Sequence, residues 1–299
     1  MPETRGNKRT VDVSIVAANF NNGRYLGDFI RSIESSTVHP MELIIVDDGS
    51  TDDSREVLES FNHIPWLEPV LFESNKGFTT ALNAGIKKAT GKYIMRADPD
   101  DILLPERIEK QYHYMESNPS VAVSGCNVAY FRGSKDNIIN ISNFPLAYPE
   151  IYKKFSKGEH GVQHPTVIAR SEVMKKFPYG KEYPGEDYEL FARMIREGLL
   201  FTNLREPLYL MRVHKGSSTS NLSFEGVRRT FLFRDRIFGG RTSRTRMRMY
   251  YSFIRNYRKY QLAGNAISKY FHLLASSLSY PQKLLQRLKD ADPVTRYHR

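Results

Sequence analysis

The chain has 299 residues, 40% of them hydrophobic and 12% aromatic, enough to bury a substantial core and too apolar for wholesale disorder. The absence of an uncharged apolar run of about 18 residues argues against a membrane-spanning helix. The start lacks the apolar core of a signal peptide, and the single Cys126 excludes an internal disulfide, which together favour the cytoplasm.

Up to residue 125 the chain alternates strand and helix patterns. VDVSIVAA (11–18) reads as a strand, and RYLGDFIRSIESS as a helix with Leu26, Phe29, Ile30 and Ile33 at helical spacing. MELIIVDD is a second strand and DDSREVLESF a second helix, with Ser50 and Asp53 in capping-box spacing. EPVLFE, TTALNAGIKKAT, KYIMRA, PERIEKQYHYMESNP and VAVSGCNV continue the alternation as strand, helix, strand, helix and strand. Such regularity predicts right-handed βαβ units and a mostly parallel sheet with helices on both faces. Beyond about 130 the pattern loosens. FRGSKDNIINISNFPLAYPE reads as a polar loop or short hairpin, HPTVIAR as a strand, GEDYELFARMIREG as a helix ending at Gly198, and REPLYLMRVH as a strand. From about 226 the chain is helical, with one stripe of Met247, Tyr250, Tyr251, Ile254 and Tyr257 and another of Ile267, Tyr270, Phe271, Leu274 and Leu278. The organisation expected is a body over 1–225, with halves at about 10–130 and 131–225, and a basic helical region over 226–299.

In an open parallel sheet, ligands sit beyond the carboxyl ends of the strands. AANFNNGR, DDGSTDD and ADPDD follow the first, second and fourth strands and would open on one sheet edge. Taken alone, DDGSTDD is good turn and capping chemistry. The sharper reading has Asp48 accept a hydrogen bond from a nucleobase imide while Gly49 lets the ligand approach. ADPDD is harder to explain as capping, because three carboxylates (Asp98, Asp100, Asp101) within four positions repel unless a cation neutralises them. Hard oxygen ligands completed by water and phosphate oxygens suit Mg²⁺ or Mn²⁺. If the backbone stays extended before and after Pro99, Asp98 and Asp100 share one side. Neither a GxGxxG nor a GxxxxGK[ST] pattern is present, which excludes a dinucleotide cradle and a P-loop.

The stretches VSIVAANFNNGRYLGDFIRSI, LIIVDDGSTDDS, NKGFTTALNAGIKKATGKYIMRADPDD and GEDYEL, in this order over about residues 10–215, resemble family 2 glycosyltransferases with the GT-A nucleotide-sugar-binding fold. The resemblance implies transfer of a sugar from a nucleotide donor, usually UDP-linked, with inversion at the anomeric carbon, in surface polysaccharide or glycolipid assembly. It implies a nucleotide-sugar site at Ala18, Phe20, Asp48, Asn83 and Asp98, a divalent metal (Mn²⁺ or Mg²⁺) on Asp100 and His214, and Asp187 as the catalytic base. His164 and Glu186 fall on the acceptor side. Without the resemblance, the acids of GEDYEL read equally well as complements to a helix dipole, and a lone His such as His214 as a structural group. Ala18 and Leu82 depart from the residues common at those positions. No QxxRW pattern appears, so one sugar per event is expected.

The net charge of +11 is unevenly spread: 226–299 holds 17 Lys/Arg against 3 Asp/Glu, a net of +14, which leaves 1–225 at −3. This asymmetry suggests a segment that docks on something anionic. A basic amphipathic helix with aromatics suits an anionic membrane surface and a glycan or lipid-linked glycan acceptor, which gives a location peripheral to the inner face of the cell membrane. A solvated helix face is the plainer explanation. Nucleic-acid binding through this region is a rival, but it leaves the acidic cluster idle, so no nucleic acid is expected. A non-catalytic sugar-nucleotide binder is the third reading.

Overall fold

The computed structural model describes residues 8–181, 184–214, 216, 222–263 and 265–290. Its first part is strand–helix alternation: β1 (Thr10–Asn19), α1 (Gly23–Glu34), β2 (His39–Asp47), α2 (Ser54–Ser60), β3 (Leu67–Leu71), α3 (Phe78–Lys88) and β4 (Tyr93–Arg96). Then come β5 (Ile102–Leu103), α4 (Arg107–Ser117), β6 (Val121–Arg132), β7 (Ser134–Ile141), α5 (Tyr148–Phe155), β8 (Ile168–Arg170), α6 (Ser171–Lys176), α7 (Glu186–Arg196) and β9 (Leu200–Arg212). Four helices follow: α8 (Phe224–Phe238), α9 (Arg244–Leu262), α10 (Ala266–Ser279) and α11 (Pro281–Asp290).

One sheet runs β3-β2-β1-β4-β8-β6-β9-β5, with β7 on β6. The pairings among β3, β2, β1 and β4 are parallel, as is β6 with β9, whereas β8, β5 and β7 pair antiparallel. Parallel order thus governs the first four strands, and the remainder of the sheet is mixed. The reason for the parallel part lies in the residues. Val13, Ile15 and Ala17 of β1 pack with Leu26, Phe29, Ile30 and Ile33 of α1, and Val16 and Ala18 pack on the other face with Ala81, Leu82 and Ile86 of α3. The period of two distributes an unbroken apolar run between two helical layers.

The structure adjusts several local expectations. HPTVIAR is a 3-10 turn (His164–Thr166) followed by the three-residue β8. Residues 134–141 form the hairpin strand β7. Ser50 does not cap α2: Asp53 stands at its N-cap, and the Ser50 hydroxyl donates to Asp47 (2.6 Å).

The first apolar stripe of the basic region is covered from within. Met247 packs with Val227 and Phe231, and Phe253 and Tyr257 pack with Leu284. Phe233 of α8 joins the main core beside Tyr188 and Phe191. The expectation that this stripe seeks a bilayer is therefore corrected, since α8 and α11 already remove it from water. No described helix is long and apolar enough to cross a membrane.

Candidate active site

The carboxyl ends of β1, β2 and β4 lie side by side, as the strand order requires. Asp47, wholly buried, accepts from the Asn19 side-chain amide (2.8 Å) and from the Ser50 N–H (3.0 Å) and hydroxyl. The Ser50 hydroxyl accepts in turn from the Asn21 N–H (2.9 Å), so the loops after β1 and β2 are one unit. Asn21 pays for its place with φ of 55°, a left-handed conformation that Asn tolerates. Ala18 is buried beneath this unit, and Phe20 stands exposed at its rim.

Asp48 is buried, and its two oxygens accept the N–H groups of Lys76 (2.7 Å) and Gly77 (2.9 Å). Gly49 has φ of +74°, and a Cβ there would sit 2.5 Å from the Ser74 carbonyl carbon. The space that Gly49 leaves is filled by the chain at 74–75, not by a ligand, which corrects that expectation. Both residues hold the loop leading into α3 against the end of β2.

The backbone does not stay extended at Pro99. It turns, with the Asp101 N–H on the Asp98 carbonyl (3.2 Å), and this brings carboxylate oxygens of Asp98, Asp100 and Asp101 within 4.8 Å of one another. The Asp98 N–H donates to the Tyr209 hydroxyl (2.9 Å), and its carboxylate is paired with the buried guanidinium of Arg96. Asp101 is buried and accepts the Arg212 N–H (2.7 Å). Burial, with the neighbouring acids, raises the Asp98 carboxyl despite Arg96 and raises Asp101 well above its ordinary range. Asp100 faces His214 Nε2 at 3.0 Å, and that ring packs on Tyr25 with centroids 5.0 Å apart. Three crowded carboxylates and one imidazole form a donor set that fits a hard divalent cation, whose charge would offset the repulsion. Asp98, Asp100 and His214 would hold it; Asp101 is already committed to β9.

His164 meets this cluster through the partly buried ring of Phe78. The Arg96 guanidinium lies over the Phe78 ring (5.3 Å), Phe78 meets the His164 ring edge-on (6.3 Å), and His164 Nε2 is 2.6 Å from the Tyr179 hydroxyl. Burial and the Arg96 charge pull His164 down to about 3, so it is neutral at physiological pH. Asn83 is occupied elsewhere: its side-chain amide and carbonyl pair with the Tyr179 carbonyl (2.9 Å) and N–H (2.9 Å). It fixes the segment carrying Tyr179 against α3.

Gly185, with φ of +104°, turns the chain into α7, whose first turn holds Glu186 and Asp187. The pair is electrostatically split. Burial, then the Asp187 charge, pushes Glu186 up to about 7. Burial also opposes the Asp187 anion, yet His160, His164 and backbone N–H groups outweigh it and hold Asp187 below its ordinary value. With His164 neutral, His160, whose Nδ1 lies 3.6 Å from Asp187, is the principal partner. Both acids open on a cleft of about 390 Å³, walled by His160 and His164 on one side and by Phe231, Tyr250 and Tyr257 of α8 and α9 on the other.

Residues 14–177 match the family model described as glycosyl transferase family 2. The chain belongs to this family. It is 34% identical over 195 residues, 64% of this chain and 71% of the relative, to the amylovoran biosynthesis glycosyltransferase AmsE of Erwinia amylovora. It is 30% identical over 193 residues (64% and 70%) to the UDP-Gal:alpha-D-GlcNAc-diphosphoundecaprenol beta-1,3-galactosyltransferase of Escherichia coli. Its fold matches the mannosyltransferase PcManGT of Pyrobaculum calidifontis, solved with GDP-Man and Mn²⁺, at a TM-score of 0.58 and 13% identity over 96% of this chain and 87% of that one.

This family 2 glycosyltransferase brings Asp98, Asp100 and His214 together at the β4 edge and Glu186, Asp187 and His164 at the neighbouring cleft. Sequence reasoning missed Arg96, whose partner Asp98 is two residues away, and His160, Tyr179 and Tyr209, whose contacts lie farther along the chain. It also missed Arg107, fully buried below the acidic turn, which donates to the carbonyls of Arg96 (2.8 Å) and Pro165 (2.9 Å). Its place two residues after the helix-starting Pro105 gave no hint of burial. Residues 215 and 217–221, which follow His214, fall outside the described residues.

Proposed function

We propose that this glycosyltransferase moves one sugar at a time from a UDP-sugar to an acceptor hydroxyl, with inversion, the acceptor being a lipid-linked glycan in surface polysaccharide or glycolipid assembly. The observation that carries the reading is the pairing of a cation-competent acidic turn with a separate, ionised Asp187 in the adjoining cleft. In direct displacement the acceptor oxygen bonds the anomeric carbon as the bond to the diphosphate breaks, and Asp187 takes the hydroxyl proton from the far side. A divalent cation bound at Asp98, Asp100 and His214 supplies charge neutralisation for the departing diphosphate. Asp48 lies on the nucleobase side, where each of its oxygens keeps a second lone pair beyond the backbone bond, and Phe20 offers an exposed ring there. Ala18 and Asn83 act by shaping the wall rather than by direct polar contact.

The named UDP-galactose donor and diphosphoundecaprenol acceptor of the E. coli relative support the choice of donor and acceptor classes. Residues 1–225 carry the transfer and 226–299 the attachment, on the cytoplasmic side of an anionic membrane. The free, buried Cys126 agrees with a reducing compartment. A panel of nucleotide sugars, assayed for Mn²⁺-dependent release of free nucleotide, tests the reading. Release from a UDP-sugar is expected, and Asp100→Ala should weaken metal-dependent UDP binding at least about tenfold. If calorimetry detects no sugar-nucleotide uptake with either cation, the reading fails.

A further inference from the structure

The second apolar stripe of the basic region is the largest surface feature that the catalytic reading does not use. Ile267, Tyr270, Phe271, Leu274 and Leu278 share one face of α10 and are between 61 and 84% exposed, and Leu285 of α11 is also exposed (60%). The other side of α10 is satisfied: Leu273 and Tyr280 pack with Phe253 and Tyr257, and the Ser279 hydroxyl meets that of Ser252 (2.9 Å). An apolar face of this extent on a water-soluble surface marks a contact.

Charge selects the occupant. Between residues 236 and 289 the chain carries 12 Lys/Arg and no Asp or Glu. The cationic field reaches α10 itself, since burial together with the Lys259 and Arg255 charges depresses His272 on that helix. A second copy would set this charge against its own duplicate, and a nucleic acid would have no use for the stripe. We infer that the outer face of α10 docks on an anionic lipid bilayer, its apolar side chains entering the interface while the flanking Lys and Arg meet lipid phosphates.

The 14-residue helix spans about 21 Å along its axis, too short for a bilayer core of about 30 Å, so it lies in the membrane plane. Tyr270 and Phe271 are suited to headgroup depth. α9 is the layer between the membrane and the catalytic cleft: it gives Ser252 and Phe253 to α10 and α11, and Tyr250, Tyr257 and Arg258 to the cleft that contains Asp187. The cleft then stands about 10 Å, one helix layer, from the bilayer. This deepens the partner named in the proposed function, and only its bearing on a lipid-linked acceptor rests on that reading.

The test is flotation of the full chain with vesicles of phosphatidylcholine alone or with one-third phosphatidylglycerol, at low and high salt. The chain should float with the anionic vesicles, less so at high salt, and remain behind with neutral ones. The double variant Phe271→Asp/Leu278→Asp should lose at least about tenfold in vesicle partition. Both positions are exposed, so its melting temperature and its release of UDP from a UDP-sugar in buffer should be unchanged. Arg255→Glu/Lys259→Glu should lose the preference for anionic lipid. No flotation with anionic vesicles, or equal flotation of the Phe271/Leu278 variant, overturns the inference. So does self-association, seen by sedimentation without flotation, that this variant abolishes. Absence of UDP release with flotation intact overturns the transfer reading instead.

Discussion

Glu186 and Asp187 are adjacent carboxylates driven in opposite directions by their surroundings, and they separate two kinds of experiment. Asp187→Asn keeps the size and removes the charge, so nucleotide-sugar binding by calorimetry should persist while transfer falls by about 10²- to 10⁴-fold. Near-normal turnover would remove Asp187 from the base role. Glu186 titrates near 7 when folded and has an ordinary value of 4.5, so the folded chain holds the extra proton between those pH values. Stability therefore falls as pH rises through that window and levels off above about 7, by up to about 3 kcal/mol. Glu186→Gln should flatten the pH dependence of thermal melting across it; an unchanged slope would mean that Glu186 is not the group responsible. The acids of the β4 turn were legible in the sequence because their types and order are local, whereas Asp187 was singled out only through the family resemblance. His160 was not, because its place beside Asp187 depends on how the segment between α5 and α7 folds back.

Among the elements, β1, β2, α1 and α3 were readable because burial between two helical layers leaves continuous apolar strands and one-sided helices. α3 carries a less visible constraint. A Cβ on Gly85 would lie 2.6 Å from Val16 Cγ1 and 3.2 Å from Val46 Cγ2, both on buried, stiff side chains. Ala is the better helix former by about 1 kcal/mol, yet overpacking at such a contact costs about 1–3 kcal/mol. Gly85→Ala should therefore lower stability in denaturant melts; a gain would show that α3 shifts freely. The sequence expectation of an extended backbone at Pro99 failed because β4 stops at Arg96 while its neighbour β1 runs on to Asn19, and the Asp101 N–H donating to the Asp98 carbonyl closes a turn.

Across the whole molecule, the change in composition at 226 falls inside α8, which begins at Phe224. Phe233, 47 positions after Glu186 in the sequence, belongs to the same apolar core as Tyr188 and Phe191. Phe233→Ala should destabilise the catalytic body by about 3–5 kcal/mol, measured by chemical denaturation. A chain cut after residue 225 should melt lower for the same reason. A truncated chain as stable as the whole would mean that the helical region merely rests on the body. α8 and α9 also wall the cleft that holds Glu186 and Asp187, so the basic region packs around that cleft as well as extending from the body.

The sequence by itself determined the family, the strand–helix alternation of the first half and the acidic turn, because each is written in neighbouring residues. Tertiary structure alone decided that Asp48 and Asn83 each hold a distant stretch of backbone, that His160 lies beside Asp187, and that one apolar stripe is covered while the other faces outward. Those outcomes depend on which surfaces meet, and contacts between distant segments leave no periodicity in the chain.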